Sequence, residues 1–420
     1  MRPTSYRSLA WMILVLVGLS SPALEAQQKV AFVTSVTGTP DLGSWPEAGS
    51  AVGAAAGDAI CRTLATDAGL ANAGTFIAWL STSTDDAYCR LHGFGGKKSA
   101  NCGQAELPVA AGPWVRTDGL PFGESIDRLL LPESVVYYPL AADEDGTPVE
   151  GYMMTATMSN GTVSPNPVTC TDWTSTIPDG VVLGGTARGS AGWTNMGSNR
   201  CDVANHLICL EPGAGPALTP PAETGALAFA TSVSGSADLG SWTDAGGQTG
   251  LAAADVICQA RAAVGSLPNP SRFRAWLSDS ATHARDRLLT DGPRVRPDGV
   301  KVADSFTDLL DGSLDASINV TELGTYLTND AAWTATNSEG WLLDGTCSDW
   351  TSATGGDAAR AGTTFGADST WTVYYSPSCS FANSRLYCIE DPPEPIFSDG
   401  FESGDTTAWS SVVQRPLIFR

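Results

Sequence analysis

The stretch VAFVTSVTGTPDLGSW at residues 30–45 returns 197 positions later, at residues 227–242, as LAFATSVSGSADLGSW. A pentapeptide such as DLGSW can recur by accident, but here the surroundings recur too. Three further stretches match in the same order: GDAICRTLATDAGLANAGTFIAWLS (from 57) with ADVICQARAAVGSLPNPSRFRAWLS (from 254), GPWVRTDG (112) with GPRVRPDG (292), and TCTDWTS (169) with TCSDWTS (346). The chain therefore contains one domain twice.

The matches place the first copy at 29–211 and the second at 226–390. Residues 212–225, PGAGPALTPPAETG, are rich in Pro and Gly and lack apolar periodicity, which predicts a linker. The offset between the copies falls from 197 to 180, so the first copy has an insertion of about 17 residues, expected at about 84–106. Each copy is much longer than a solenoid repeat, which indicates tandem globular domains.

The N-terminal residues indicate the compartment. Residues 1–26 combine Arg2 and Arg7 with an apolar run and then SPALEA, a pattern typical of a signal peptide cleaved after Ala23 or Ala26. The apolar run is too short for a membrane span. We therefore expect a secreted, extracellular or cell-surface protein, with the periplasm as the alternative.

The net charge restricts the partners. The chain carries 45 acidic and 23 basic residues, for a formal charge of −22. Such a field repels polyanions, which argues against nucleic acid and heparin-like polymers as ligands.

The local patterns predict an α+β fold. Each copy opens with an alternating strand, AFVTSV or AFATSV, and continues with an Ala-rich helix near Ala51–Ala65 or Leu251–Ala263. A second, short helix is expected at ESIDRLL and DSFTDLL, where Glu124 and Asp304 favour the helix N-terminus. The remainder reads as short strands and long loops.

The ten cysteines predict disulfides, since unpaired thiols are rare outside the cell. The surplus pair of the first copy, Cys89 and Cys102, is expected to bridge the insertion. Four cysteines of each copy allow three pairings, and spacing does not choose among them. These four are Cys61, Cys170, Cys201 and Cys209 in the first copy and Cys258, Cys347, Cys379 and Cys388 in the second.

Three stretches carry a resemblance to a known family: GLAAADVICQARAAVG…FRAWLS, WTATNSEGWLLDGTCSDWTS and the closing C…SRLYCIE. They resemble the endostatin branch of the C-type lectin-like superfold, the C-terminal module of collagens XV and XVIII, which has relatives of unknown function among bacterial secreted proteins. The resemblance implies two tandem, disulfide-stapled C-type lectin-like domains. It also implies nested pairs: Cys61–Cys209 around Cys170–Cys201, and Cys258–Cys388 around Cys347–Cys379.

The sequence departs from the ligand motifs of that superfold. Calcium-dependent lectins use Glu-Pro-Asn or Gln-Pro-Asp and a Trp-Asn-Asp triplet, and none of these strings occurs here. Endostatin binds zinc through N-terminal His and heparin through Arg clusters, whereas this acidic chain has three scattered His. No metalloprotease, serine hydrolase or P-loop string is present either, so we expect no enzyme.

Four carboxylates remain as candidate ligand-binding residues. Asp143 and Asp145 in ADEDGTP form a fragment of a calcium loop that lacks its distal carboxylate, so an acidic turn is the other interpretation. Asp172 and Asp349 precede Trp in the recurring DWTS and indicate either a shared site or loop capping. We expect no cofactor, with calcium as the only one left open.

These observations favour a secreted bacterial binding protein that recognises a protein or glycan through variable loops, at about 133–169 and 313–346. Two alternatives stay open: a structural component of the cell surface or matrix without a discrete ligand, and a hydrolase with an unrecognised site. Residues 391–420 are expected to form a flexible tail.

Overall fold

The computed structural model describes residues 28–165, 169–178, 180–186 and 189–391. The predicted signal peptide and all of the predicted tail after Asp391 lie outside the described residues. Among the helices of the described part, none has the length and apolar character needed to span a bilayer.

The chain forms a mixed α+β structure, as the sequence predicts. Its helices are Ala54–Asp67, Ala87–Leu91, Ile126–Leu129, Gly250–Val264 and Phe306–Leu309. The strands of the first copy are Lys29–Val33, Ile77–Ala78, Trp114–Arg116, Pro121–Gly123, Tyr152–Met154, Val181–Thr186, Gly197–Arg200 and Ile208–Leu210. Those of the second are Ala226–Ala230, Phe273–Ala275, Arg294–Val295, Lys301–Ala303, Ala331–Trp333, Ala361–Thr363 and Ser384–Glu390.

The opening strand of each copy holds its main sheet together. Lys29–Val33 pairs antiparallel with Ile208–Leu210 on one side and parallel with Trp114–Arg116 on the other. In the second copy Ala226–Ala230 makes the corresponding antiparallel pair with Ser384–Glu390. Its parallel neighbour is Arg294–Val295. The first and last strands of each copy therefore pair with each other, which brings the two ends of each copy together.

The recurring DLGSW has a structural explanation. The indole of Trp45 lies directly over Gly38, where a Cβ atom would come within 2.2 Å of the ring. Its N–H donates to the carbonyl of Thr39 at 2.9 Å. Trp242 lies over Gly235 in the same way, at 2.4 Å from the position of a Cβ atom. The motif and the glycine upstream of it thus fix one turn in both copies.

A pair of tryptophans in mutual contact lies in the core of each copy. Trp79 and Trp193 have ring centroids 5.3 Å apart, and Trp276 and Trp371 have centroids 5.2 Å apart, both pairs at 34°. All four rings are buried. Such pairs stabilise a core by about 0.5–1.5 kcal/mol beyond the area that they bury.

All ten cysteines form disulfides, and each bond lies within one copy. The pairs are Cys61–Cys209, Cys89–Cys102, Cys170–Cys201, Cys258–Cys388 and Cys347–Cys379, the same pairs that the resemblance and the insertion imply. These bonds are consistent with a secreted or extracellular protein.

The insertion of the first copy begins later than the expected residue 84. Arg90 donates to the carbonyls of Ala78 and Leu80. It also forms an ion pair with Asp58 at 2.7 Å. Arg287, exactly 197 positions later, makes the same contacts with the corresponding residues of the second copy. The copies therefore correspond up to Arg90, and Cys89 lies in the shared framework, not in the insertion.

The expected ligand segments are partly buried between the copies. Val135, Tyr137 and Tyr138 of the first copy form one apolar cluster with Val300 and Ala316 of the second. These parts of 133–169 and 313–346 are buried between the copies, so the predicted ligand surface is limited to the remaining parts of the two segments. The apolar run VVYYP at 135–139 is an interface segment.

Candidate functional site

A cleft lies at the same place in both copies, beside the segment that precedes the penultimate cysteine. In the second copy it has a volume of about 400 Å³, and in the first of about 270 Å³. The second-copy cleft is lined by Asn329, Ala331, Tyr375, Ser376, Pro377 and Phe381. The first-copy cleft is lined by Tyr152, Gly184, Met196, Gly197, Ser198 and Asn199.

The framework fixes the segment that forms the wall of the cleft at both ends. Before it, Trp371 is buried in the core against Trp276. After it, Cys379 is bonded to Cys347. Between these anchors, the amides of Tyr374 and Tyr375 both donate to the carbonyl of Ala361, at 2.9 and 2.8 Å. The wall is therefore a rigid turn on which side chains can change without loss of the fold.

The second-copy cleft has an aromatic wall with a polar edge. Tyr375 packs edge-on against Tyr374, with ring centroids 4.4 Å apart. Phe381 also lines the cleft, and its side chain is 40% exposed. The hydroxyl of Tyr375 donates to Oδ1 of the exposed Asn329 at 3.3 Å. Burial raises the pKa of Tyr375, so its hydroxyl stays protonated at neutral pH.

The cleft is electrically neutral despite the acidic character of the chain. None of the six described residues that line it carries a charge. The nearest acidic neighbour along the chain, Asp330, forms an ion pair with Arg385 at 2.8 Å. A ligand with an apolar face and uncharged hydrogen-bonding groups therefore fits this lining better than an ion.

The first-copy cleft lacks the aromatic wall. Gly197 stands where the second copy has Tyr375, and Asn199 stands in place of Pro377. Its one aromatic residue, Tyr152, is 59% exposed. The framework is shared because the amide of Met196 donates to Gly184 at 2.7 Å, as Tyr374 does to Ala361. The two clefts therefore offer different chemistry on one scaffold.

The structure places Asp143 and Asp145 in a turn, away from both clefts. The carboxylate of Asp143 accepts from the amides of Asp145 and Thr147, at 3.0 and 2.8 Å. Asp143 itself is buried, whereas Asp145 is exposed. The first carboxylate thus caps its own turn and has little capacity left for a cation.

Asp172 and Asp349 occupy matching positions in a left-handed turn. Cys170–Trp173 and Cys347–Trp350 have positive φ at all four residues, between 49° and 69°. Left-handed backbone costs about 1–2 kcal/mol for each residue with a Cβ atom. The turn therefore has to be held by its surroundings.

Side-chain hydrogen bonds hold this turn. The Asp172 carboxylate accepts from the amide and the hydroxyl of Ser83, at 2.7 and 2.5 Å. Burial opposes ionisation of Asp172, but these bonds outweigh it and lower its pKa. Asp349 accepts the same two bonds from Ser280, at 2.9 and 2.6 Å, and the Ser280 hydroxyl is the main cause of its lowered pKa. Both carboxylates connect the turn to the strand that precedes these serines.

One group of carboxylates in the described residues has the spacing of a metal site. Oxygen atoms of Asp304, Asp308 and Asp315 lie within 4.8 Å of one another. The ammonium group of Lys301 lies 2.5 Å from Asp304 and 3.2 Å from Asp315. Since this cation already pairs with two of the three carboxylates, we assign no metal there.

Two recurring glutamates escaped the sequence analysis. Glu144 and Glu322 are buried, and each accepts from the amide and the hydroxyl of a serine in the opening strand region, Ser35 and Ser232. In the second copy Arg261 adds an ion pair with Glu322 at 2.6 Å. The shared pattern Glu-x-Gly-Thr in EDGT and ELGT is the signal that identifies them.

The cleft residues were also missed, because the stretches WTNMGSNRC and WTVYYSPSC contain no known ligand motif. The sequence signal is that MGSN (196–199) and YYSP (374–377) differ, although the Trp before and the Cys after them match in the two copies. This difference indicates a cleft wall that varies between the copies.

No model of a known protein family matches the chain, and no curated protein matches it. The likeness to endostatin-like domains therefore remains a proposal, and the function has to be argued from the site.

Proposed function

We propose that this chain is a secreted binding protein of the tandem C-type lectin-like type, and that its second copy binds a glycan in the cleft beside Tyr375. The observation that carries the proposal is the neutral, aromatic-walled cleft on a rigid turn, at a place where the first copy has Gly197. We propose binding without turnover.

The chemistry of the lining favours a neutral sugar ring. One face of a pyranose is made of C–H groups and packs against an aromatic ring, as Tyr375 and Phe381 allow. Its hydroxyls need uncharged hydrogen-bond partners, which Asn329 and Ser376 supply. A volume of about 400 Å³ falls in the range of small-ligand sites. The supporting features involve no cation, so we expect binding without calcium.

The test is a glycan-array screen of the full, oxidised chain, first with calcium and then with EDTA. We expect at least one neutral glycan to bind in both conditions. Tyr375→Ala should weaken this binding by about 10-fold, which corresponds to about 1.4 kcal/mol. The matched control is Phe94→Ala, which removes an exposed aromatic ring of the first copy, outside the cleft.

Three results would count against the proposal. If the chain binds no glycan on the array while its five disulfides are intact, a structural role without a discrete ligand would be favoured. Binding that Tyr375→Ala leaves unchanged would move the site elsewhere. Binding that EDTA abolishes would show that a cation is part of the site.

A further inference from the structure

We propose that the two copies form an intramolecular symmetric dimer: each docks on the other through the same surface, and this contact, more than the linker, holds them together. The proposal does not depend on glycan binding. Its basis is that residues at corresponding positions of the two copies meet each other across one interface.

The strongest sign of two-fold symmetry is a residue that pairs with its own counterpart. Gly189 and Gly366 occupy corresponding positions, 177 apart, and form an antiparallel β-bridge with each other. The amide of Ser190 extends this contact and donates to the carbonyl of Phe365 at 2.9 Å. In a symmetric dimer, such a self-pair lies on the two-fold axis.

The apolar cluster between the copies has the same symmetry. Leu120 corresponds to Val300, since each follows the Asp-Gly of a matching VRxDG motif. Tyr138 corresponds to Ala316, since Arg116 and Arg296 donate to the carbonyl of the residue that follows each. All four of these apolar residues belong to one cluster. Each copy therefore contributes the same patch, as an isologous interface requires.

Polar contacts add specificity to the patch. The fully buried Arg296 donates to the carbonyl of Val136 in the other copy at 3.4 Å, while Asp298 balances its charge at 2.7 Å. The hydroxyl of Tyr138 accepts from the amide of Lys301 at 3.1 Å. These bonds satisfy polar groups that docking of the copies removes from water.

Covalent bonds between the copies are confined to the linker, because every disulfide lies within one copy. Within that linker, Thr219 and Pro220 are exposed. A recognition site for a specific protease can therefore be inserted between these two residues in the full chain, and cleavage there separates the copies unless the interface holds them.

The experiment is size-exclusion chromatography of the cleaved chain under non-reducing conditions. We expect the two fragments to elute together at the position of the uncut chain, at micromolar concentration and in 0.5 M salt. Elution as two separate fragments of about half the mass would overturn the proposal.

Symmetry gives the matched variants. Leu120→Asp and Val300→Asp place a charge at corresponding points of the patch, and each should make the cleaved fragments separate. Val264→Asp, at a helix position that is 55% exposed, should leave them together. Fragments that stay together in both patch variants would show that a different surface joins the copies.

A milder variant tests the same contact in case a buried Asp prevents folding. Tyr138→Phe removes only the hydroxyl that accepts from the Lys301 amide. In the uncut chain, hydrogen–deuterium exchange at Lys301 should become at least several-fold faster, while exchange in the helix Gly250–Val264 stays the same. Unchanged exchange at Lys301 would contradict the docked arrangement.

Discussion

Replacement of Thr171 by glycine should stabilise the protein, although glycine usually destabilises. Thr171 is exposed and lies in the left-handed turn with φ 56° and ψ 50°. Its Cβ atom costs about 1–2 kcal/mol in this conformation, and glycine removes that cost. Glycine also gives the unfolded chain more conformational entropy, which lowers the stability of the folded protein by about 0.5–1 kcal/mol. The difference predicts a gain of about 0–1.5 kcal/mol in the free energy of unfolding, or about 0.75 kcal/mol from the middle of each range.

The second copy and a right-handed helix supply the controls for this prediction. Ser348→Gly, at φ 55° in the matching turn, should give a similar gain. Ala252→Gly, at an exposed position of the helix Gly250–Val264, should lose about 0.5–1 kcal/mol. Urea unfolding followed by circular dichroism measures all three, with a constant m-value as the check on two-state behaviour. A loss of stability in Thr171→Gly comparable to that of Ala252→Gly would refute the left-handed turn.

Three further outcomes are expected. Arg261→Leu should lower the free energy of unfolding by about 1.5–3 kcal/mol, because it leaves the buried Glu322 carboxylate with only its two bonds from Ser232, and adding Glu322→Gln should recover part of the loss in the same urea assay. The pKa of Asp349 is lowered in the folded protein, so its stabilising effect is present above the ordinary value of 3.8 and is lost as the pH falls below it; Asp349→Asn should flatten the acid limb of a stability–pH curve. Serine at both Cys89 and Cys102 should cost about 3 kcal/mol, the value for a loop of this length, and an unchanged melting temperature would contradict a structural role for the bond.

The repeat made much of the framework predictable. Because two diverged copies had to satisfy one set of contacts, the residues that they share are those that hold the fold, as with Trp45 over Gly38 and its counterpart Trp242 over Gly235. The long helices are also confirmed, since Ala-rich periodicity is a local signal that needs no tertiary information.

The rest depends on contacts that a single copy does not encode. The left-handed turn at Cys170–Trp173 could not be predicted locally, because Thr and Trp do not favour positive φ and the bonds from the distant Ser83 help to hold the turn. Tyr138 looked like part of a loop because its partner, Val300, is contributed by the other copy. The cleft beside Tyr375 could not be predicted from the repeat, because its aromatic lining differs between the copies and belongs to no shared motif.

The order of the disulfides along the chain constrains how the protein matures. Cys61 emerges from the ribosome, and from any export channel, 148 residues before its partner Cys209, with Cys89, Cys102, Cys170 and Cys201 in between. An oxidant that joins cysteines as they appear would produce Cys61–Cys89 first, a pair that the folded chain does not contain. Maturation therefore calls for either a delay in oxidation until each copy is complete or an isomerase that reshuffles the early bonds. Yield in a heterologous host should depend on that catalyst more than on the stability of the finished fold.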